Sequence, residues 1–302
     1  MQAAARRRTF AVVAASVLGI ALLIAPRIGT GRVYHDPGPL PTFAPGAAVL
    51  LAVGDIGSCK GDADEAVAAL AARLPGTIAL LGDIVYENGS SSDYATCFDP
   101  AWRALRSRIR PAPGNHEYQT TDASAYFSYF GAEAGTPGQG WYSYELGSWH
   151  VIVLNSNCAD VGGCRGGSPQ LAWLQADLRA HPTACTLAYW HHPRYSSGRH
   201  GTDARTDPLW RALATANVDL VLSGHDHDYE RLAPVDGIRS FVVGTGGRSL
   251  YELTRPAGSQ TELRANHTYG LLALELNDRG YVWRFVTAAG APLTDAGAGT
   301  CH

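Results

Sequence analysis

Metal-binding residue types recur in this 302-residue sequence at one kind of place, the end of a short apolar run. The run Ala48-Val49-Leu50-Leu51-Ala52-Val53 stops at Gly54-Asp55, and Thr77-Ile78-Ala79-Leu80-Leu81 stops at Gly82-Asp83. Val151 to Leu154 leads to Asn155, Leu187 to Trp190 leads to His191, and Val218 to Gly224 leads to His225. One Asp in such a place is usually a turn former or a helix cap. Several Asp, Asn and His residues in equivalent places have the donor chemistry of a metal centre, because oxygen and imidazole ligands together suit iron, manganese and zinc. The six cysteines include no Cys-x-x-Cys pair, so a thiolate zinc site is not expected.

Positioning such residues requires a particular scaffold. Short continuous apolar runs suit strands buried on both faces of a sheet. Helical segments are expected between them: Asp62 to Arg73, opening on capping carboxylates; Ser168-Pro169 through Ala180, with Ser at the cap and Pro in the first turn; and Thr206 to Ala216. Tyr269 to Ala288 alternates as two strands around Asn277-Asp278-Arg279-Gly280. Strands interleaved with helices make an α/β domain with a mixed central sheet and helices outside it. Open sheets of that kind bind ligands beyond the carboxyl ends of their strands.

In chain order the polar motifs are Gly54-Asp55, Gly82-Asp83-Ile84-Val85-Tyr86, Gly114-Asn115-His116-Glu117, His191-His192-Pro193 and Gly224-His225-Asp226-His227. This order resembles the calcineurin-like metallophosphoesterase superfamily. The tyrosine three places after the second Asp narrows the resemblance to the purple acid phosphatase-like branch. The likeness runs from about Ala47 to the C-terminus. It implies a four-layer α/β/β/α sandwich with a dinuclear metal site at the strand C-terminal ends, and a catalytic domain spanning 46–302.

The resemblance also implies roles. Asp55, Asp83, Tyr86 and His227 would hold the first metal; Asp83, Asn115, His191 and His225 would hold the second, with Asp83 bridging. Fe(III) paired with Zn(II), Fe(II) or Mn(II) is the implied pair. Phosphate ester hydrolysis needs neutralised phosphoryl oxygens, a strong nucleophile and a leaving group that can depart, and two close cations supply the first two. The implied reaction is hydrolysis of phosphate monoesters by in-line attack of a metal-bound hydroxide; a phosphodiesterase or nucleotidase using the same site is the alternative. His116 would contact phosphate and assist proton transfer, and His200 is a candidate to protonate the leaving group. His192 is read as a supporting residue, because adjacent strand residues point to opposite faces. Asp226, Asp228, Tyr229 and Glu230 are read as orienting the ligands, and Gly244 to Arg248 as a lining of the phosphate pocket or a plain turn. Glycines before the ligands would let the backbone turn sharply. A non-catalytic relic would be expected to have lost ligands, and none of the seven positions is missing.

The rest of the chain sets the context. Arg6, Arg7 and Arg8 precede an uncharged apolar run from Phe10 to Ala25. The run is short for a membrane span and slightly long for a signal core, so residues 1–30 are expected to be a cleaved signal or a retained anchor. Arg7-Arg8-Thr9-Phe10 resembles a twin-arginine export signal. Residues 31–45 read as a Gly- and Pro-rich linker, where large plant enzymes of the branch carry a β-sandwich domain. Export is therefore expected, with the protein secreted or held on the outer face of the cytoplasmic membrane. The formal net charge of −3 offers no basic surplus, so small phosphorylated substrates rather than nucleic acids are the expected partners. An even cysteine count in an exported chain suggests disulfides. Cys158 and Cys164 can close a local Gly-containing loop, and Cys59 and Cys97 follow neighbouring strand ends. Cys185 and Cys301 then remain to pin the C-terminal tail.

Overall fold

A computed structural model describes residues 40–302. The expected signal segment and most of the expected linker lie outside the described residues. Leu40 and Phe43, at the start of the described chain, pack against the hydrophobic core.

The strands form two mixed sheets. In the first, the order is β13 (Asp295–Thr300), β12 (Gly280–Gly290), β11 (Thr268–Asn277), β1 (Ala48–Val53), β2 (Thr77–Leu81), β3 (Ile109–Ala112). β1, β2 and β3 run parallel, while β11 lies antiparallel to β1 with Leu50 opposite Leu274. The second sheet has the order β10 (Thr261–Ala265), β8 (Tyr229–Val235), β9 (Ile238–Val243), β7 (Leu220–Ser223), β6 (Thr186–Tyr189), β5 (Trp149–Val153), β4 (Tyr142–Leu146). Its centre, β5-β6-β7-β9, is parallel.

Period-two alternation distributes these apolar runs between three cores. Val49, Leu51 and Val53 of β1 face one core with Val67, Leu70 and Ala71 of the helix Ala63–Arg73. Leu50 and Ala52 face a second core with Leu187 and Tyr189 of β6 and Leu220 and Leu222 of β7. Ala188 and Val221 face a third with Leu171 and Leu174 of the helix Pro169–Ala180 and Leu209 and Leu213 of the helix Asp207–Thr215. Three apolar layers separate four structural ones, which is the expected α/β/β/α sandwich. A buried Leu or Val contributes about 1.5–3 kcal/mol, so strands with apolar residues on both faces are held on both sides.

The helix starts divide. Ser168 caps its helix by accepting from the Leu171 N–H at 3.3 Å, with Pro169 in the first turn. Asp62 stands at the N-cap of Ala63–Arg73 without a side-chain capping bond, so the expected carboxylate cap does not form. Asp64 and Glu65 lie in that helix's first turn instead, and burial together with Glu65 pushes the Asp64 carboxyl up to about 8. Short helical turns between Ser91 and Ala134, around the aromatic cluster of Phe98, Trp102, Tyr126 and Phe130, had no counterpart in the sequence reading. Their turns change type every few residues, which leaves no sustained helical period to read.

All six cysteines pair as expected. Cys59–Cys97 joins the loops after β1 and β2, and Cys158–Cys164 closes the loop after β5. Cys185–Cys301 ties the end of the first sheet's edge strand to the start of β6 in the second. Among the described residues no helix is long and apolar enough to cross a membrane.

Candidate metal centre

The site lies where β1, β2, β3, β6 and β7 end. Asp55, Asp83, Asn115, His191 and His225 each follow one of these strands within a few residues, and His227 lies in the turn before β8. The backbone there is not relaxed. Asp55, Asp83 and His225 have φ of 59°, 47° and 72°, a left-handed conformation that costs a non-glycine residue about 1–3 kcal/mol and clusters at functional sites. The reason for the neighbouring glycines differs from the expected sharp turn at most positions. Gly82 does adopt a positive φ of 83°. At Gly114 and Gly224 the requirement is room: an added Cβ would lie 2.2 Å from Asp83 Oδ1 and 2.6 Å from Asp55 Oδ2 respectively.

Hydrogen bonds orient four of the donors, Asp55, Asp83, His191 and His227. Asp55 Oδ2 accepts from the His225 N–H at 2.8 Å, and Asp83 Oδ1 accepts from the His116 N–H at 2.8 Å. The second oxygen of each carboxylate turns inward. Asp55 Oδ1 lies 2.8 Å from the Tyr86 hydroxyl and 3.3 Å from His227 Nε2, while Asp83 Oδ2 lies 3.1 Å from that hydroxyl. Tyr86 Oη is itself 3.2 Å from His227 Nε2. On the other side, Asp83 Oδ2 is 3.3 Å from His191 Nε2. That nitrogen is also 3.2 Å from Asn115 Oδ1 and 3.2 Å from His225 Nδ1. Asp83 Oδ2 thus belongs to both groups. His191 Nδ1 sits 2.8 Å from the Leu81 carbonyl and His227 Nδ1 2.8 Å from the Ser249 carbonyl, so both rings donate outward and present Nε2 to the site.

The electrostatics favour a cation. Burial opposes charge on Asp83, but His191 beside it holds the carboxyl well below its usual range. Burial likewise opposes protonation of His191, and Asp83 overrides it to about 9. Burial, then Asp55 and Asp83, push the Tyr86 hydroxyl up. Burial and neighbouring histidines push His225 down. His191 Nε2 faces two acceptor oxygens, of Asp83 and Asn115, besides the His225 ring nitrogen, more polar atoms than one proton can serve. Converging carboxylate, amide, phenol and imidazole donors, with oxygens of Asp55 and Asp83 and a nitrogen of His191 within 4.8 Å of one another, fit metal ions of the iron, zinc or manganese kind.

Other expected residues stand around this centre. His116 packs its ring 4.3 Å from that of Tyr86, bonds the Glu87 carbonyl through Nδ1, and points Nε2 toward Asp83 Oδ2 at 3.8 Å. The exposed His200 ring lies 4.3 Å from that of His225. His192 is not on the opposite face: its ring is 4.4 Å from His225, within reach of the cluster. β6 has already ended at Tyr189, so strand alternation no longer applies. Burial and His191 push His192 down to about 3, and Ser156 Oγ holds its Nδ1 at 2.8 Å. Asn155, despite its strand-end place, is a brace that donates to Tyr118 Oη and the Gln139 carbonyl. Glu117 accepts from the Ile84 and Gly114 N–H groups at 2.9 and 2.7 Å, joining two ligand loops. Arg248 lies over the Tyr86 ring at 4.9 Å and donates to Glu87. Tyr251 was not foreseen; it stacks on His227 at 3.9 Å, and nothing in its local sequence marks it.

Known proteins resemble this chain in sequence and fold. The model of the calcineurin-like phosphoesterase family matches residues 48–229. An uncharacterised protein of Mycobacterium tuberculosis is 34% identical over 194 residues, covering 56% of this chain and 36% of that protein. Purple acid phosphatase 21 of Arabidopsis thaliana is 30% identical over 186 residues, covering 51% of this chain and 41% of its own. The chain therefore spans less than half the length of these relatives. In fold it is similar to a purple acid phosphatase from yellow lupin (Lupinus luteus), with a TM-score of 0.73 and 17% identity over 83% of this chain and 53% of the other. A family match that runs from β1 to the start of β8, together with a donor set at the strand ends that meets its chemistry, leads to one conclusion: the chain belongs to the calcineurin-like phosphoesterase family, within which it is similar to purple acid phosphatases.

Proposed function

We propose that this protein hydrolyses phosphate monoesters with two metal ions. One would be held by Asp55, Asp83, Tyr86 and His227, the other by Asp83, Asn115, His191 and His225. The observation that carries the reading is the position of Asp83 Oδ2, which borders Tyr86 Oη at 3.1 Å on one side and His191 Nε2 at 3.3 Å on the other. A bound pair of cations supplies charge for the phosphoryl oxygens and activation of water. Fe(III) with Zn(II), Fe(II) or Mn(II) is the pair that this ligand set and a tyrosine donor favour.

The chain's own residues do the rest. His116, with Nδ1 fixed on the Glu87 carbonyl, directs Nε2 into the site to hydrogen-bond a phosphoryl oxygen. His200, beside His225 on an open loop, gives its ring proton to the departing oxygen. The outward hydrogen bonds of His191 and His227 keep their rings from rotating, so the donors stay arranged before substrate arrives. Three disulfides support action outside the cytoplasm, where such bonds persist.

The test is a metal analysis of the purified full chain with rates on p-nitrophenyl phosphate and bis(p-nitrophenyl) phosphate. Close to two metals per chain and a faster monoester reaction are expected, with activity lost to chelation and restored by metal. A faster diester reaction would move the assignment to a phosphodiesterase. Metal-free protein without activity after reloading would overturn the hydrolase reading.

A further inference from the structure

The loop that carries His200 has no regular secondary structure, yet it is fastened at several points. Asp226, fully buried between His225 and His227, makes three of the attachments. Its Oδ1 accepts from the His200 N–H at 2.6 Å. Its Oδ2 accepts from the Ser196 hydroxyl at 2.5 Å and from the Gly201 N–H at 3.0 Å. Ser196 Oγ in turn accepts from the Gly198 N–H at 2.9 Å. The loop closes so tightly over this carboxylate that a Cβ on Gly198 would lie 2.4 Å from Asp226 Cγ. Further along β8, Glu230 takes the Ser197 N–H and hydroxyl at 2.8 and 2.7 Å, extending the same attachment.

Hydrogen bonds to a carboxylate are about twice as strong as neutral ones, so three on one side chain fix a short loop firmly. Asp226 has a further property that Glu230 lacks. Its two sequence neighbours point ring nitrogens into the metal centre, so one three-residue turn sets both the ligand positions and the place of the His200 backbone. Proton transfer needs heavy atoms about 2.6–3.2 Å apart, a tolerance that a loose loop would exceed.

We propose that Asp226 is a positioning residue that holds His200 in register with the metal centre for leaving-group protonation. This rests on the reading of His200 given above. In that step an oxygen–phosphorus bond forms from water as the bond to the leaving oxygen breaks. The His200 ring proton passes to the departing oxygen, and the proton released by the water returns to the ring through solvent.

The test compares kcat/KM for p-nitrophenyl phosphate, whose leaving group departs unprotonated, with that for glycerol 2-phosphate, whose alkoxide needs a proton. His200→Ala should raise the ratio of the first to the second by about 10-fold or more, a fraction of what general acid catalysis contributes. Asp226→Ala and Ser196→Ala should raise it in the same direction, with Asp226→Asn between them and wild type. The His200→Ala/Asp226→Ala double variant should rise no further than His200→Ala alone, and metal content should stay at the wild-type value. If His200→Ala leaves the ratio unchanged, the leaving-group role of His200 falls and this proposal with it. If His200→Ala raises the ratio but the Asp226 and Ser196 variants slow both substrates equally, or lose metal, Asp226 is only structural and this proposal alone falls. Should Asp226→Ala not fold, Asp226→Asn and Ser196→Ala decide by the same criterion.

Discussion

The Tyr86 hydroxyl stands 2.8 Å from Asp55 Oδ1, and both side chains are withdrawn from solvent. A phenol buried against two carboxylates does not ionise by itself. A strongly Lewis-acidic cation reverses that by stabilising the phenolate directly. Iron-loaded protein should therefore show a visible phenolate-to-iron absorption band, and Tyr86→Phe should abolish it while leaving the far-UV circular dichroism unchanged. A band that survives in the Phe variant would remove Tyr86 from the ligand set.

Asp83→Asn should be the most damaging single exchange of a carboxylate for an amide. Its Oδ2 serves both halves of the centre, and its Oδ1 takes the His116 N–H. Loss of kcat/KM by at least about 100-fold, with less metal per chain by elemental analysis, is expected, at or beyond the upper range seen when ligand-supporting groups are removed. Asp207→Asn, which removes a remote carboxylate paired with Arg194, is the control. Comparable losses in the two variants would contradict a shared ligand.

The disulfides should differ in their contribution. Cys185–Cys301 closes a separation of 116 residues and Cys158–Cys164 one of 6. In the chain-entropy account the longer closure stabilises by up to about 5 kcal/mol and the short one by about 2 kcal/mol. Paired Cys→Ser variants compared by denaturant unfolding should rank in that order. A reversed ranking would place the effect in native-state packing instead.

An ion cluster around the buried His150 and Asp177, away from the centre, should shape the pH profile of stability. His150 lies between Glu145 and Asp177, each 2.7 Å from a ring nitrogen, with His181 stacked on it at 4.4 Å. Burial opposes its charge, but the bonds to Asp177 and Glu145 win and raise its pKa; Asp177, opposed by burial in turn, is lowered mainly by His150. A raised histidine contributes fully below its unfolded value of about 6.5 and loses the contribution as pH rises through the folded value. A lowered carboxyl contributes above about 3.9 and loses it as pH falls through its folded value. The cluster is thus worth most between these limits. The urea-midpoint gap between wild type and His150→Asn should shrink as pH rises from 6 to 9, and a constant gap would sink the assignment.

Much of this molecule could be read along the chain. Each apolar run became a strand because residues at alternate positions were apolar on both faces, as Leu50 and Leu51 show by entering different cores. Asp55, Asp83, His191 and His225 were recognisable because a strand end is a local feature; Asn115 was reached through its motif, and Asn155, which also follows a strand, is a brace outside the ligand cluster. Of the cysteine partners, Cys59 and Cys97 followed from loops that leave neighbouring strand ends, Cys158 and Cys164 from a short local loop, and Cys185 and Cys301 from what then remained.

What the chain alone determined, then, were the strands, the order of the motifs and the residue types able to bind metal, all of which depend on near neighbours in sequence. Only the tertiary structure decided which oxygen or nitrogen of each residue faces inward, because that choice is made by partners far along the chain: the Leu81 carbonyl for His191, the Ser249 carbonyl for His227, and the His225 N–H for Asp55. It also brought His192 beside His225, stacked Tyr251 on His227, and clasped the His200 loop onto Asp226. Those contacts join segments with no shared period or spacing, and they arise only when two sheets pack face to face and bring their strand ends to one edge.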